Sequence, residues 1–128
     1  MEVKIKKRIL LVEDEMVLAE MYLKKFEIEG FDILSATDGE QGLKIALEEK
    51  PDLIVLDVLM PKMDGITIMK KLREDEWGKN VPIIILTNLS ANDKIIQRIT
   101  VDHPAYYLMK TNDTPSDIVQ KIKEVLKI

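Results

Sequence analysis

Five polar residues stand directly behind short apolar runs. Glu13 and Asp14 follow Arg8–Val12, Asp57 follows Leu53–Leu56, Thr87 follows residues 82–86, and Lys110 follows residues 105–109. Apolar runs of four or five residues read as buried strands. In open parallel sheets, sites form outside the carboxyl ends of the strands. The spacing therefore brings three carboxylates, one hydroxyl and one ammonium group to one edge of a sheet. Clustered carboxylates repel one another and need a cation. Oxygen-only donors favour Mg²⁺ over zinc, and Mg²⁺ takes one or two carboxylates while drawing other ligands from water or phosphate. An aspartate can act as a nucleophile toward phosphorus and form an acyl phosphate. A metal ion offsets charge on the phosphoryl oxygens. Lys110 adds a positive point charge to the same group, and Thr87 a short hydrogen-bond donor.

The elements that position these residues alternate along the chain. After the first strand, residues 15–29 carry helical apolarity through Leu18, Met21, Tyr22 and Phe26, and stop at Gly30. Residues 31–36 form a second strand, less apolar and so suited to an edge. Asp38 can cap the next helix, with Gln41 three residues on; that helix buries Leu43, Ala46 and Leu47 and stops before Pro51. The continuous run Leu53–Leu56 suits a central strand covered on both faces. Asp64 caps a helix marked by Ile66, Met69 and Leu72. A further helix starts at Ser90, with Ile95, Ile96 and Ile99 on one face. Thr114-Pro115-Ser116-Asp117 opens the last helix with a cap, a first-position proline and an acidic third position. Five strands alternating with five helices predict an α/β fold, a parallel sheet with helices on both faces.

The segment Leu56-Asp57-Val58-Leu59-Met60-Pro61-Lys62-Met63-Asp64-Gly65 closely resembles the signature of response-regulator receiver domains. Glu13-Asp14, Thr87 and Tyr107, three residues before Lys110, fit the same family, and the likeness covers essentially the whole chain. The resemblance implies a five-stranded sheet in the flavodoxin-like order 2-1-3-4-5. It implies that Asp57 accepts a phosphoryl group from a histidine kinase or phosphotransfer protein, so that the domain catalyses its own phosphorylation and dephosphorylation without being a conventional enzyme. Asp14, Asp57 and the backbone carbonyl of Leu59 would hold Mg²⁺, with Glu13 reaching it through water. Thr87 and Lys110 would bind the phosphoryl oxygens. Thr87 would then shift, and Tyr107 would turn inward, altering the face that a downstream partner reads.

Three positions depart from the family pattern. Proline usually follows the site lysine with a cis bond between them; here Thr111 does, and a non-proline cis bond costs about 2.5–4 kcal/mol. Either the bond is trans and the loop reshapes, or strain is carried at the site. Asn88 stands where a very small residue is usual. The connection Val101-Asp102-His103-Pro104 replaces a small residue and glycine. Leu59 and Leu89, each two residues past a site residue, are apolar and are expected to shield the acyl phosphate from water.

Other residues have plainer roles. Asp64 is a cap and Gly65 a matter of backbone geometry. Tyr107 and Tyr106 face opposite sides of a strand, His103 is a solvated loop residue, and most of the methionines are expected to fill the core. Hydrophobic residues make up 46% and charged residues 33% of the 128 residues, enough for one core. The chain is expected to be a single receiver domain over 1–128 with no output domain. A net charge of −4 argues against direct nucleic-acid binding. The absence of cysteine excludes disulfides and thiolate metal sites, and no apolar run is long enough to span a membrane. A cytoplasmic monomer or weak dimer is the expectation. An aspartate-nucleophile phosphatase would carry Asp-x-Asp after the first strand, and here position 59 is Leu59. A flavodoxin-like cofactor binder would need a phosphate cradle where Glu13-Asp14-Glu15 stands. A receiver that binds partners without phosphorylation is the remaining alternative.

Overall fold

The computed structural model describes residues 6–60, 62–88 and 104–128. The helix expected from Ser90, together with Leu89 and His103, lies outside them. Five parallel strands run in the order β2-β1-β3-β4-β5. They are β1 (Arg8–Val12), β2 (Asp32–Ala36), β3 (Leu53–Leu56), β4 (Ile83–Thr87) and β5 (Tyr106–Met109). The described helices are α1 (Met16–Ile28), α2 (Gly39–Glu49), α3 (Gly65–Glu74) and α4 (Pro115–Leu126). Both the expected fold class and the strand order are therefore found.

Side chains alternate faces along a strand, so a continuous apolar run fills two cores at once. Leu10, Val12, Ile54, Leu56, Ile83 and Ile85 point to one side, where Ile68, Met69 and Leu72 of α3 and Ala46 of α2 close over them. Ile9, Leu11, Leu53, Val55, Ile84 and Leu86 point to the other, against Tyr22 and Phe26 of α1 and Ile118 and Ile122 of α4. Each fully buried side chain of this size contributes about 1.5–3 kcal/mol. Tyr107 packs on the first cluster and Tyr106 on the second, the opposite facing expected of neighbours in a strand.

The caps act as the residue types predict. Asp38 accepts from the Gln41 N–H at 2.9 Å and Asp64 from the Thr67 N–H at 2.8 Å. Thr114 and Asp117 form a reciprocal capping box: the Asp117 N–H donates to Thr114 Oγ1 at 3.2 Å and the Thr114 N–H to Asp117 Oδ2 at 2.9 Å. Two glycines start helices where no side chain fits. A Cβ on Gly39 would stand 1.7 Å from the Met63 carbonyl oxygen, and one on Gly65 would stand 2.6 Å from that of Asp57. The first contact seats the start of α2 against the β3–α3 loop, and the second seats α3 against the backbone of Asp57. No helix among the described residues is long and apolar enough to cross a membrane.

Candidate functional site

Site residues just past the strand ends are still held by the sheet. The Glu13 N–H donates to the Ala36 carbonyl at 3.1 Å, the Asp57 N–H to that of Val12 at 3.1 Å, and the Lys110 N–H to that of Thr87 at 3.0 Å. Each of these side chains is thus launched from a fixed backbone. Glu13, Asp57 and Thr87 are buried, whereas Asp14 is exposed.

The carboxylates of Glu13, Asp14 and Asp57 each offer an oxygen within 4.8 Å of the others. Lys110 Nζ lies 2.5 Å from Glu13 Oε1 and 2.8 Å from Asp57 Oδ2, with its side chain only 8% exposed. The second Glu13 oxygen accepts from the Glu15 N–H at 3.1 Å, and Asp57 Oδ1 from the Leu59 N–H at 3.3 Å. One ammonium group therefore faces three carboxylates. Burial pushes the Glu13 carboxyl above its usual range; the Lys110 hydrogen bond, the Glu15 amide and the Lys110 charge oppose this without cancelling it, and the Asp57 charge adds to it. Burial alone would lower the Lys110 pKa, but its hydrogen bonds to Asp57 and Glu13, and their charges, outweigh that and raise it. An all-oxygen cluster with surplus negative charge fits a hard divalent cation.

A cleft of 190 Å³ opens onto this group, lined by Asp14, Glu15, Asp57, Leu59, Thr87, Asn88 and Lys110. Asn88, which departs from the family pattern, and Leu59, expected to shield the acyl phosphate, both line it, and Leu59 is 54% exposed. Tyr107 is half-buried, and its hydroxyl oxygen is screened from solvent. Among the described residues no peptide bond is cis, so Lys110–Thr111 is trans and the loop reshapes. The new loop is a turn in which the N–H groups of Asn112 and Asp113 both donate to the Met109 carbonyl, at 3.0 and 2.9 Å.

All five polar residues picked out behind the strands thus meet at one place. The Lys110–Glu13 contact, the shortest in the site, has no signal in the sequence; the family resemblance pairs Lys110 with phosphoryl oxygens only. The placement of β1 beside β3 and of β5 beside β4 puts Glu13 within reach of the lysine. The role of Gly39 was also missed, because the contact that demands it comes from a distant loop.

The profile of the response regulator receiver domain matches residues 9–123, and the chain belongs to this family. It is 37% identical over 122 residues to the alkaline phosphatase synthesis transcriptional regulatory protein PhoP of Bacillus subtilis, an alignment covering 94% of this chain and 49% of that protein. It is 34% identical over 121 residues to the phosphate regulon transcriptional regulatory protein PhoB of Pseudomonas aeruginosa, covering 94% and 52%. The chain thus spans about half the length of these curated relatives. Among solved structures, the chemotaxis response regulator CheY4 of Vibrio cholerae superposes with a TM-score of 0.86 at 26% identity, covering 94% of this chain and 99% of that one. Receiver domains are signalling modules, and the relatives are named as regulators.

Proposed function

We propose that this receiver accepts a phosphoryl group on Asp57 from a phosphohistidine, carried by a histidine kinase or a phosphotransfer protein, in the presence of Mg²⁺. The observation that carries the reading is the setting of Asp57: buried at the end of β3, open to a cleft, with the Lys110 ammonium 2.8 Å from one oxygen. A carboxylate oxygen of Asp57 attacks phosphorus; the P–N bond breaks and the histidine leaves with the electron pair, taking up a proton. Hydrolysis reverses the loading: water attacks phosphorus, the P–O bond to Asp57 breaks, and the carboxylate returns. Glu13, Asp14, Asp57 and the Leu59 carbonyl would hold the cation, which supplies counter-charge to the phosphoryl oxygens. Lys110 exchanges its Glu13 and Asp57 contacts for a phosphoryl oxygen, and Thr87 binds another. Tyr107 follows Thr87, and the face formed by β5 and α4 carries the change to a protein partner. The residues act together as one receiver unit in the cytoplasm, as a monomer or weak dimer. With a net charge of −4, the chain itself makes no direct contact with nucleic acid.

Incubation with a small phosphodonor and Mg²⁺, read by intact mass, tests the reading. A phosphate-sized adduct that disappears in Asp57→Asn and in EDTA is expected. The absence of an adduct from both a small donor and a kinase would instead make this a receiver that binds partners without phosphorylation.

A further inference from the structure

We propose that Asp113 is a positioning residue for Lys110, through a bond at the open edge of the sheet; this rests on the phosphoryl-acceptor reading above. N–H groups along a strand point alternately to either side. The Lys110 N–H points toward β4, where it meets the Thr87 carbonyl at 3.0 Å. The Met109 N–H, one residue earlier, therefore points away from β4. Since β5 is the last strand of the sheet, no further strand among the described residues lies beyond to receive it. Asp113 Oδ2 takes that N–H at 3.0 Å, and the Asp113 N–H returns to the Met109 carbonyl at 2.9 Å. One residue thus engages both backbone groups of Met109, the residue from which Lys110 springs.

The other side of Asp113 is anchored as well. Thr114, the next residue, caps α4, and Ile118 and Ile122 fix α4 in the core with no exposed surface. Asp113 therefore ties the base of Lys110 to a helix that does not move easily. Lysine is a flexible four-carbon stem, and the ring of a following proline is absent here, so the constraint on its base must come from elsewhere. Thr111 and Asn112 are exposed; Asn112 shares the Met109 carbonyl at 3.0 Å and its side-chain Nδ2 reaches Met109 Sδ at 3.7 Å, but the Met109 N–H is held by Asp113. Between Glu13 and Asp57 the ammonium has little tolerance for a displaced base.

Two readouts test this in the whole chain. The first is independent of phosphorylation: the rate at which an amine-reactive reagent modifies Lys110, followed by peptide mass. Asp113→Ala is expected to raise that rate about tenfold, whereas Asp113→Asn, which keeps an oxygen acceptor, stays within about twofold of the parent, because the fully exposed lysines set the upper limit. The second is adduct formation on Asp57, slowed about tenfold in Asp113→Ala, since displacement of a reacting group by an ångström costs up to about a hundredfold. In a Lys110→Ala background, Asp113→Ala should slow loading no further. Unchanged Lys110 reactivity in Asp113→Ala, or an equal slowing without Lys110, overturns the proposal. A parent chain that takes no adduct overturns the acceptor reading instead, and the reactivity measurement still decides the place of Asp113.

Discussion

At the amino end of the sheet, Arg8 reaches the Glu49 carboxylate and the Glu49 carbonyl, each at 2.7 Å, while its own N–H meets Asp52 at 2.8 Å. Glu29 there takes Lys123 and Lys25, each at 3.1 Å. At the carboxyl end, three carboxylates cluster and two of them hold one lysine. The first set is partly exposed and balanced, and its pairs fasten helix ends to strand beginnings. The second is buried and unbalanced, at a cost that only a further positive charge can offset. Balanced charge at one end holds the fold, and surplus negative charge at the other suits a hard cation.

The sharpest way to break this comparison is to remove the lysine that the buried carboxylates hold. Lys110→Met leaves Glu13 and Asp57 buried without their shared cation and should lower unfolding stability by about 3 kcal/mol in EDTA. Mg²⁺ should recover more stability in this variant than in the parent, as urea titrations with and without Mg²⁺ would show. Next in size is Gly39→Ala, which drives a methyl group into the Met63 carbonyl. A loss of about 1–3 kcal/mol is expected in the same titration, as for other overpacked sites, together with weaker Mg²⁺ binding because the β3–α3 loop must give way. Arg8→Ala at the amino end should cost under about 1 kcal/mol, in line with exposed ion pairs, and leave adduct formation on Asp57 unchanged. A larger loss, or altered loading, would mean the two ends are not separable.

The smallest effect is in the pH response. Hydrogen bonds from Lys123 and Lys25 hold the Glu29 carboxyl below its ordinary 4.5. Its stabilisation is present above pH 4.5 and lost as pH falls through the lowered value. Burial holds Glu13 above 4.5, so its ionised form is a burden that lifts as pH falls through the raised value. Carbon-detected titration of the metal-free chain should show Glu13 taking up its proton at a higher pH than Glu29. Reversal of that order would contradict the contrast between the ends.

The sheet was legible because its central strands are continuous apolar runs, and the helix starts because Asp38, Asp64 and Thr114 are capping residues followed by helical periodicity. Boundaries moved by a residue where the last polar side chain still belongs to the ladder: Thr87 ends β4, where residues 82–86 were expected. The site was legible for the same reason as the sheet, since polar residues ending apolar runs must gather at one edge. What sequence reasoning could not supply were contacts between distant segments. Lys110 meets Glu13 across two intervening strands, Gly39 meets Met63 from the start of α2, and Asp113 closes a turn where proline was the familiar device. Such contacts depend on distance in space, and no local period encodes them.

The tight seat of Gly65 against the Asp57 carbonyl bears on how this chain could drift over generations. Replacing Asp57 by Asn silences the proposed chemistry and removes one buried charge from a crowded site, so the domain survives it. Replacing Gly65 by any larger residue pushes on the main chain itself, and the whole domain suffers. A lineage that abandons signalling can therefore shed the aspartate long before the glycine. In a library of variants selected for folding alone, position 57 should accept many residues and position 65 almost none.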